Sequence, residues 1–358
     1  MGLGTRWTQF RPRGRVATFA DLNFKGAGQV FFQENSLTGV LFLAGIAYGA
    51  VVAKTPQVLL GAVIGLLVST ITAIALQPDE PSLRKGLYGY NGVLVGAALP
   101  TFLGITPMLW FYLVVASAAS TVVFMATATV CKTWGVPALT FPFNLVNWIF
   151  LMGAFQFMRL RTTDLNPGQF PSQVTGAAAH VNITPGFLVE ALLKNIAQVF
   201  LINNAITGAI FVVALVVSSV WAGVFALGGS ALAIGASLAM GAPAPDIHSG
   251  LYGFSAVLTA VALGCVFYRP SPRVTVFAIF GVLVTVAIHS MLVSALTPVS
   301  LPPGTAPFVF ATWLFLLPKK RFDPVQHEHL AGGAAEPSPL ARATTSKSVN
   351  PLHEKENQ

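Results

Sequence analysis

The sequence predicts an all-α polytopic membrane protein built from two related halves, and three observations carry that prediction. Of the 358 residues only 9% are charged while 54% are hydrophobic, against roughly 25% charged in a soluble domain. The apolar residues gather into ten long runs instead of alternating with polar ones, which excludes a barrel with a polar lumen. Three motifs of the first half return in the same order in the second, the mark of a duplicated unit.

Residues 1–23 form a basic lead with Arg6, Arg11, Arg13 and Arg15. No apolar stretch of signal-peptide length follows these arginines, so no cleaved leader is expected. A first repeat, 24–158, opens with Gln29-Val30-Phe31-Phe32, Asn35 and Thr38-Gly39 and carries apolar runs near 37–53, 57–77, 90–103, 107–131 and 142–158. A polar connector covers 159–196. The second repeat, 197–317, opens 169 residues on with Gln198-Val199-Phe200-Leu201, Asn204 and Thr207-Gly208, and its runs lie near 206–224, 228–241, 254–268, 274–296 and 306–317. Residues 318–358 are Pro, Ala, Ser and charge, which predicts a disordered tail.

The other two duplicated motifs lie deeper in each half. Gly-Leu-Tyr-Gly-Tyr-Asn-Gly-Val-Leu at 86–94 returns as Gly-Leu-Tyr-Gly-Phe-Ser-Ala-Val-Leu at 250–258, and each opens a run too short for a comfortable straight crossing. Val-Pro-Ala-Leu-Thr-Phe-Pro-Phe at 136–143 returns as Leu-Pro-Pro-Gly-Thr-Ala-Pro-Phe at 301–308. Five crossings per repeat is an odd number, so the second repeat must enter from the opposite side, giving an inverted pair. With both termini cytoplasmic, only Lys54, Arg159, Arg161 and Lys194 of the 20 Lys and Arg fall outside, as the positive-inside bias requires. The net charge of +8 therefore reflects membrane topology, and no nucleic-acid partner is expected. The short chain without glycosylation-type loops suggests a bacterial inner membrane, although Asn182-Ile183-Thr184 matches the acceptor pattern.

Pro137 and Pro142 in the first copy of the third motif, and Pro302, Pro303 and Pro307 in the second, remove backbone donors at matched places. The freed carbonyls, with the Thr140 and Thr305 hydroxyls, would form a row of acceptors at membrane depth. Ordinary helix starts, with Pro in the first turn and Thr bonded back to its own helix, are the plain alternative. Gln29 and Gln198 are a matched pair of amides able to orient a small neutral solute, or to bond to backbone. Tyr90 with Leu94, and Phe254 with Leu258, are i,i+4 pairs on one face; opposed flat rings would leave a slot for a planar solute.

None of the 12 Asp and Glu lies inside an apolar run, whereas proton or sodium coupling normally needs an intramembrane carboxylate. His289 is the one histidine within a run, Glu34 and Glu190 stand near the Gln motifs, and Cys131 and Cys265 read as small apolar filler. No metal-ligand or nucleophile–base arrangement stands at membrane depth, so neither an enzyme nor a cofactor is expected.

These residues resemble the urea transporter family. The resemblance rests on the two Gly-Leu-Tyr-Gly-aromatic segments, the Gln-Val-x-Phe…Asn…Thr-Gly entry and Leu-Pro-x-x-Thr-x-Pro-Phe, complete at 301–308, and it covers roughly 24–317. It implies ten transmembrane helices plus two tilted half-spanning pore helices, a channel through each protomer, a homotrimer and passive urea conduction. Carried over by motif, the oxygen ladder is Gln29, Gln198, Thr140, Thr305 and nearby backbone carbonyls. The slot walls are Phe32, Tyr90, Leu94, Leu201, Phe254 and Leu258, with Val30, Val199, Pro142 and Pro307 beside them. Tyr90 departs from the Phe more usual in the family, Val136 from the motif's Leu, and Gln198 from a Glu found in some bacterial relatives. An ion-coupled carrier and an ammonia or water channel are the remaining alternatives.

Overall fold

A computed structural model describes residues 14–163, 165, 168–171 and 183–318. The basic lead before Gly14, most of the central connector and the tail after Pro318 lie outside the described residues. Within them the chain is all-helical, with one isolated bridge between Leu103 and Thr162. The first half folds as α1 Arg15–Gln29, α2 Ser36–Val52, α3 Pro56–Leu76, α4 Glu80–Arg84, α5 Tyr90–Phe102, α6 Pro107–Trp134 and α7 Phe141–Ala154. The second half gives α8 Pro185–Ala197, α9 Ala205–Ser218, α10 Val220–Ala239, α11 Ala244–His248, α12 Phe254–Val261, α13 Pro272–Leu296 and α14 Ala306–Leu316, with a π turn at Ala262–Val266 prolonging α12.

Four helices, α3, α6, α10 and α13, are long and apolar enough to cross a membrane, and the α8–α9 pair, bent by 74°, adds a fifth if it is one broken span. Helix length alone therefore does not give ten separate crossings. The runs near 37–53, 142–158, 206–224 and 306–317 fold as helices of 17, 14, 14 and 11 residues, below the ~20 residues a straight crossing needs. One boundary also moves. The run placed at 206–224 breaks at Ser219, which is extended (φ −152°, ψ 115°) and whose hydroxyl accepts from Ala222 N at 3.3 Å to cap α10. A serine cap inside an apolar stretch leaves no dip in hydropathy to mark it.

Helices α1 and α8 begin inside stretches whose polarity suggested a lead and a connector. Both are amphipathic, burying one face (Leu22, Gly26, Ala27 and Gln29 in α1; Phe187, Ala191 and Asn195 in α8). Their polar faces carry matched i,i+4 ion pairs, Lys25–Asp21 at 2.8 Å and Lys194–Glu190 at 3.0 Å. Each then meets its successor closely: a Cβ on Gly39 would sit 1.7 Å from Phe24 O, and one on Gly208 would sit 2.0 Å from Leu193 O. The Asn of the entry motif is a cap. Asn35 Oδ1 accepts from Leu37 N and Thr38 N, and Asn204 Oδ1 from Thr207 N. The two halves are stitched by Thr38 Oγ1 donating to Ala214 O and Thr207 Oγ1 to Gly45 O, both at 3.0 Å.

Small residues set the packing where apolar side chains gain little from leaving lipid. Gly61 and Gly65 of α3 face Gly92 and Gly96 of α5; a Cβ on Gly61 would lie 2.1 Å from Gly96 O, and one on Gly96 2.0 Å from Gly61 O. In the second half Gly229 of α10 meets Ala256 and Ala260 of α12 in the same way. This close approach draws the short helices inward, so α5 is buried from Tyr90 to Pro100 and α12 along its whole length. The long helices turn large apolar side chains outward instead: Ile71, Val122, Val224 and Val276 are all more than half exposed. An apolar exterior around a buried, partly polar centre is the pattern of an all-α membrane protein.

Candidate functional site

The site lies where α7 and α14 begin. Both helices carry a proline in the first turn, Pro142 and Pro307, where the missing N–H would have had no intrahelical partner. Thr140 and Thr305 stand just before these starts, and neither side chain caps its helix. Their hydroxyls meet each other instead, 2.6 Å apart, with both residues buried. The alternative in which each threonine bonds back to its own helix is therefore not what the structure adopts.

Asn144 fixes this contact. Its Nδ2 donates to Thr140 O at 2.8 Å and to Thr305 Oγ1 at 3.1 Å, while its Oδ1 accepts from Thr305 N at 2.9 Å. Two of the carbonyls freed by the proline motifs are engaged across the halves: Trp313 Nε1 donates to Pro137 O at 2.7 Å and Trp148 Nε1 to Pro302 O at 2.9 Å. Those two are thus ties between the halves, not open acceptors. Leu139 and Gly304, each just before its threonine, both adopt left-handed backbone (φ 53° and 55°). The carbonyl of Leu139 accepts from the Tyr90 hydroxyl and that of Gly304 from Ser255 Oγ at 3.4 Å.

A cavity of about 30 Å³ opens beside this junction, lined by Gln29, Val30, Phe32, Tyr90 and Thr140 together with Phe124, Leu139, Phe267 and Phe308. That volume holds a water or a fragment of a slightly larger solute. Phe32 follows a turn closed by its own N–H to Gln29 O and sits in the left-handed region (φ 62°), as Leu201 does after Gln198 (φ 59°). A bulky residue in that region is strained, and such strain gathers at functional sites. The Phe32 ring packs edge-on against Phe267 at 5.8 Å and Phe308 at 6.0 Å, both from the second half.

The remaining residues singled out in the sequence are placed as follows. Gln29 and Gln198 donate Nε2 to Lys85 O at 2.9 Å and to Ser249 O at 2.8 Å, so both amides do bond to backbone. Leu94 and Leu258 are fully buried one turn beyond Tyr90 and Phe254, and Val199 is buried beside Gln198. Phe254 packs edge-on to His289 at 6.2 Å and Tyr252 packs on the same ring at 4.9 Å. In the first half Phe124 takes that place, 5.6 Å from Tyr90 and 5.3 Å from Tyr88. The cavity thus gathers Gln29, Val30, Phe32, Tyr90 and Thr140 and leaves out Leu94, Pro142 and the second-half set.

Asn144, Trp148, Trp313 and Phe124 were not singled out from the sequence. The tryptophans stand 165 residues apart, the same offset as the threonines, and that offset was a usable signal. Asn144 is matched by Val309, so a search for duplicated polar residues passes over it. Among the described residues no Asp, Glu, Lys or Arg is buried, and none of their His, Cys, Asp and Glu cluster as a metal site.

A model of the urea transporter family matches residues 20–320. Urea transporter 1 of Rattus norvegicus and of Ovis aries are each 31% identical to the chain over 320 residues, covering 87% of it and 79% of the relative. Urea transporter 1 of Mus musculus is 30% identical over the same length. The chain belongs to the urea transporter family.

Proposed function

We propose that the chain is a passive membrane channel for urea. The observation that carries the reading is the buried Thr140–Thr305 hydroxyl contact between two matched helix starts, in a centre without a buried charge among the described residues. Gln29, Thr140, Thr305 and Gln198 serve as the oxygen ladder. Lys85 O and Ser249 O hold the two amide NH2 groups, which turns each Oε1 to the solute as an acceptor. Phe32, Tyr90 and Leu94 wall one end of the slot, and Leu201, Phe254 and Leu258 the other, with Val30 and Val199 beside them. Pro142 and Pro307 each remove one backbone donor from the first helical turn.

Urea passes edge-on, its apolar faces against the rings and its N–H groups handed from one oxygen to the next. Leaving an amide group without partners in an apolar site costs roughly 2–7 kcal/mol, so a dry slot lacking the ladder would exclude it. Several weak positions in series let the solute leave as readily as it enters. A hydrated ion would lose far more than neutral oxygens return, which accounts for ion rejection.

The architecture we propose for this channel is two inverted repeats of five crossings each; the bounds read from the sequence, 24–158 and 197–317 joined by 159–196, are widened here to begin at α1 (Arg15–Gln29) and α8 (Pro185–Ala197), which match each other. It has ten crossings, two tilted half-spanning pore helices, both termini cytoplasmic, and a homotrimeric assembly in the inner membrane. Support comes from the one-to-one match of α1–α7 with α8–α14, from the paired cross-half bonds, and from left-handed backbone at matched sites: Gly86 with Gly250, Phe32 with Leu201, and Leu139 with Gly304. Flux of urea through proteoliposomes without any ion gradient tests the function. A dependence on proton or sodium gradients would favour a carrier instead.

A further inference from the structure

We propose that the Tyr90 hydroxyl is a selectivity element of the slot, standing in for one rung of the ladder and setting its width at the first-half end. The inference rests on the channel reading above. Tyr90 is buried, lines the cavity and donates to Leu139 O, the carbonyl next to Thr140. That bond takes the place a solute N–H would take on the same carbonyl. The phenol oxygen keeps lone pairs of its own, so the acceptor offered to the solute moves from the backbone out to the side chain. The rung survives and the passage narrows by about one oxygen atom.

The ring cannot swing clear to undo this. Phe124 holds it edge-on at 5.6 Å and 82°, and Tyr88 packs edge-on against the same Phe124 ring at 5.3 Å. The second half lacks the device. Phe254 stands at the matched position without a hydroxyl, and Gly304 O, the counterpart of Leu139 O, accepts a 3.4 Å bond from Ser255 instead. The slot is therefore built asymmetrically, with a narrow hydroxyl-lined end and a wider end. A compact solute with free N–H groups bonds to the phenol oxygen as it passes. An N-alkylated amide of the same edge presents a methyl group there and is held back.

The test is efflux of urea and of N-methylurea from proteoliposomes holding the full chain, Tyr90→Phe or the mirror variant Phe254→Tyr. Tyr90→Phe is expected to raise the N-methylurea-to-urea flux ratio roughly three- to tenfold, the scale set by one hydrogen bond's net worth. Phe254→Tyr is expected to lower the ratio, and it keeps the question open to refutation if Tyr90→Phe does not assemble. Elution of the purified protein in detergent checks assembly. A conducting wild-type chain whose ratio stays within about twofold in both variants overturns the proposal alone. A wild-type chain that conducts no urea overturns the channel reading and this proposal with it.

Discussion

Replacing Thr140 with Val removes the hydroxyl at the centre of the ladder while keeping the side chain's shape. Thr140 is the cleaner of the two threonines to change. Thr305 is held by Asn144 through both its N–H and its hydroxyl, so Thr305→Val would also leave Asn144 Nδ2 with Thr140 O alone. In Thr140→Val the Asn144 bonds to Thr140 O and to Thr305 persist, and only the 2.6 Å hydroxyl contact is lost. A solute N–H crossing that point then finds no acceptor on one side, at about 1–3 kcal/mol for a buried unsatisfied group. With 1.4 kcal/mol per factor of ten in rate, urea efflux should fall roughly 5- to 150-fold. The assay is osmotic or isotopic efflux from proteoliposomes at matched protein density. Efflux unchanged in Thr140→Val and in Thr305→Val would refute the ladder.

Further expectations come from other parts of the fold. Gly96→Ala places a methyl group 2.0 Å from Gly61 O; the resulting overpacking should cost about 1–3 kcal/mol and lower the unfolding temperature in detergent along with the flux. Trp313→Phe leaves Pro137 O without its 2.7 Å donor and should destabilise by about 1–3 kcal/mol, read as a lower midpoint in thermal unfolding. Asp79 caps α4 through Ser82 N and accepts from the Tyr88 hydroxyl, both at 2.9 Å. Burial alone would raise its pKa, but the bonds from Ser82 and Tyr88 outweigh that and hold it below the usual Asp value. Its stabilising contribution is therefore present above the unfolded-state pKa and fades as pH falls through the lower folded-state value. Asp79→Ala should cost ~1 kcal/mol at neutral pH and flatten the acid limb of a stability–pH curve.

The duplicated motifs were legible in the sequence because an offset near 165 is visible whatever the backbone does between the copies. They led directly to the threonine pair and to the turn that holds Phe32. Helix ends were harder to read. Runs of hydropathy do not register a serine cap such as Ser219, nor an amphipathic helix such as α1, whose polar face carries the half-buried pair Asp21 and Lys25. The fastening of the site was hidden for another reason. Asn144 has no polar counterpart in the second half, and the link from Trp148 to Pro302 joins residues 154 positions apart, a distance no local pattern spans. His289 shows the same limit from the other side. Its counterpart is Phe124, and only the shared packing on Tyr252 and Phe254 reveals what the position does.

The most direct test of the account is urea efflux from proteoliposomes of the wild-type chain, with and without imposed proton and sodium gradients. The account predicts rapid efflux that both gradients leave unchanged, because the described centre holds no buried charge for an ion to act upon. Efflux that follows either gradient would contradict it.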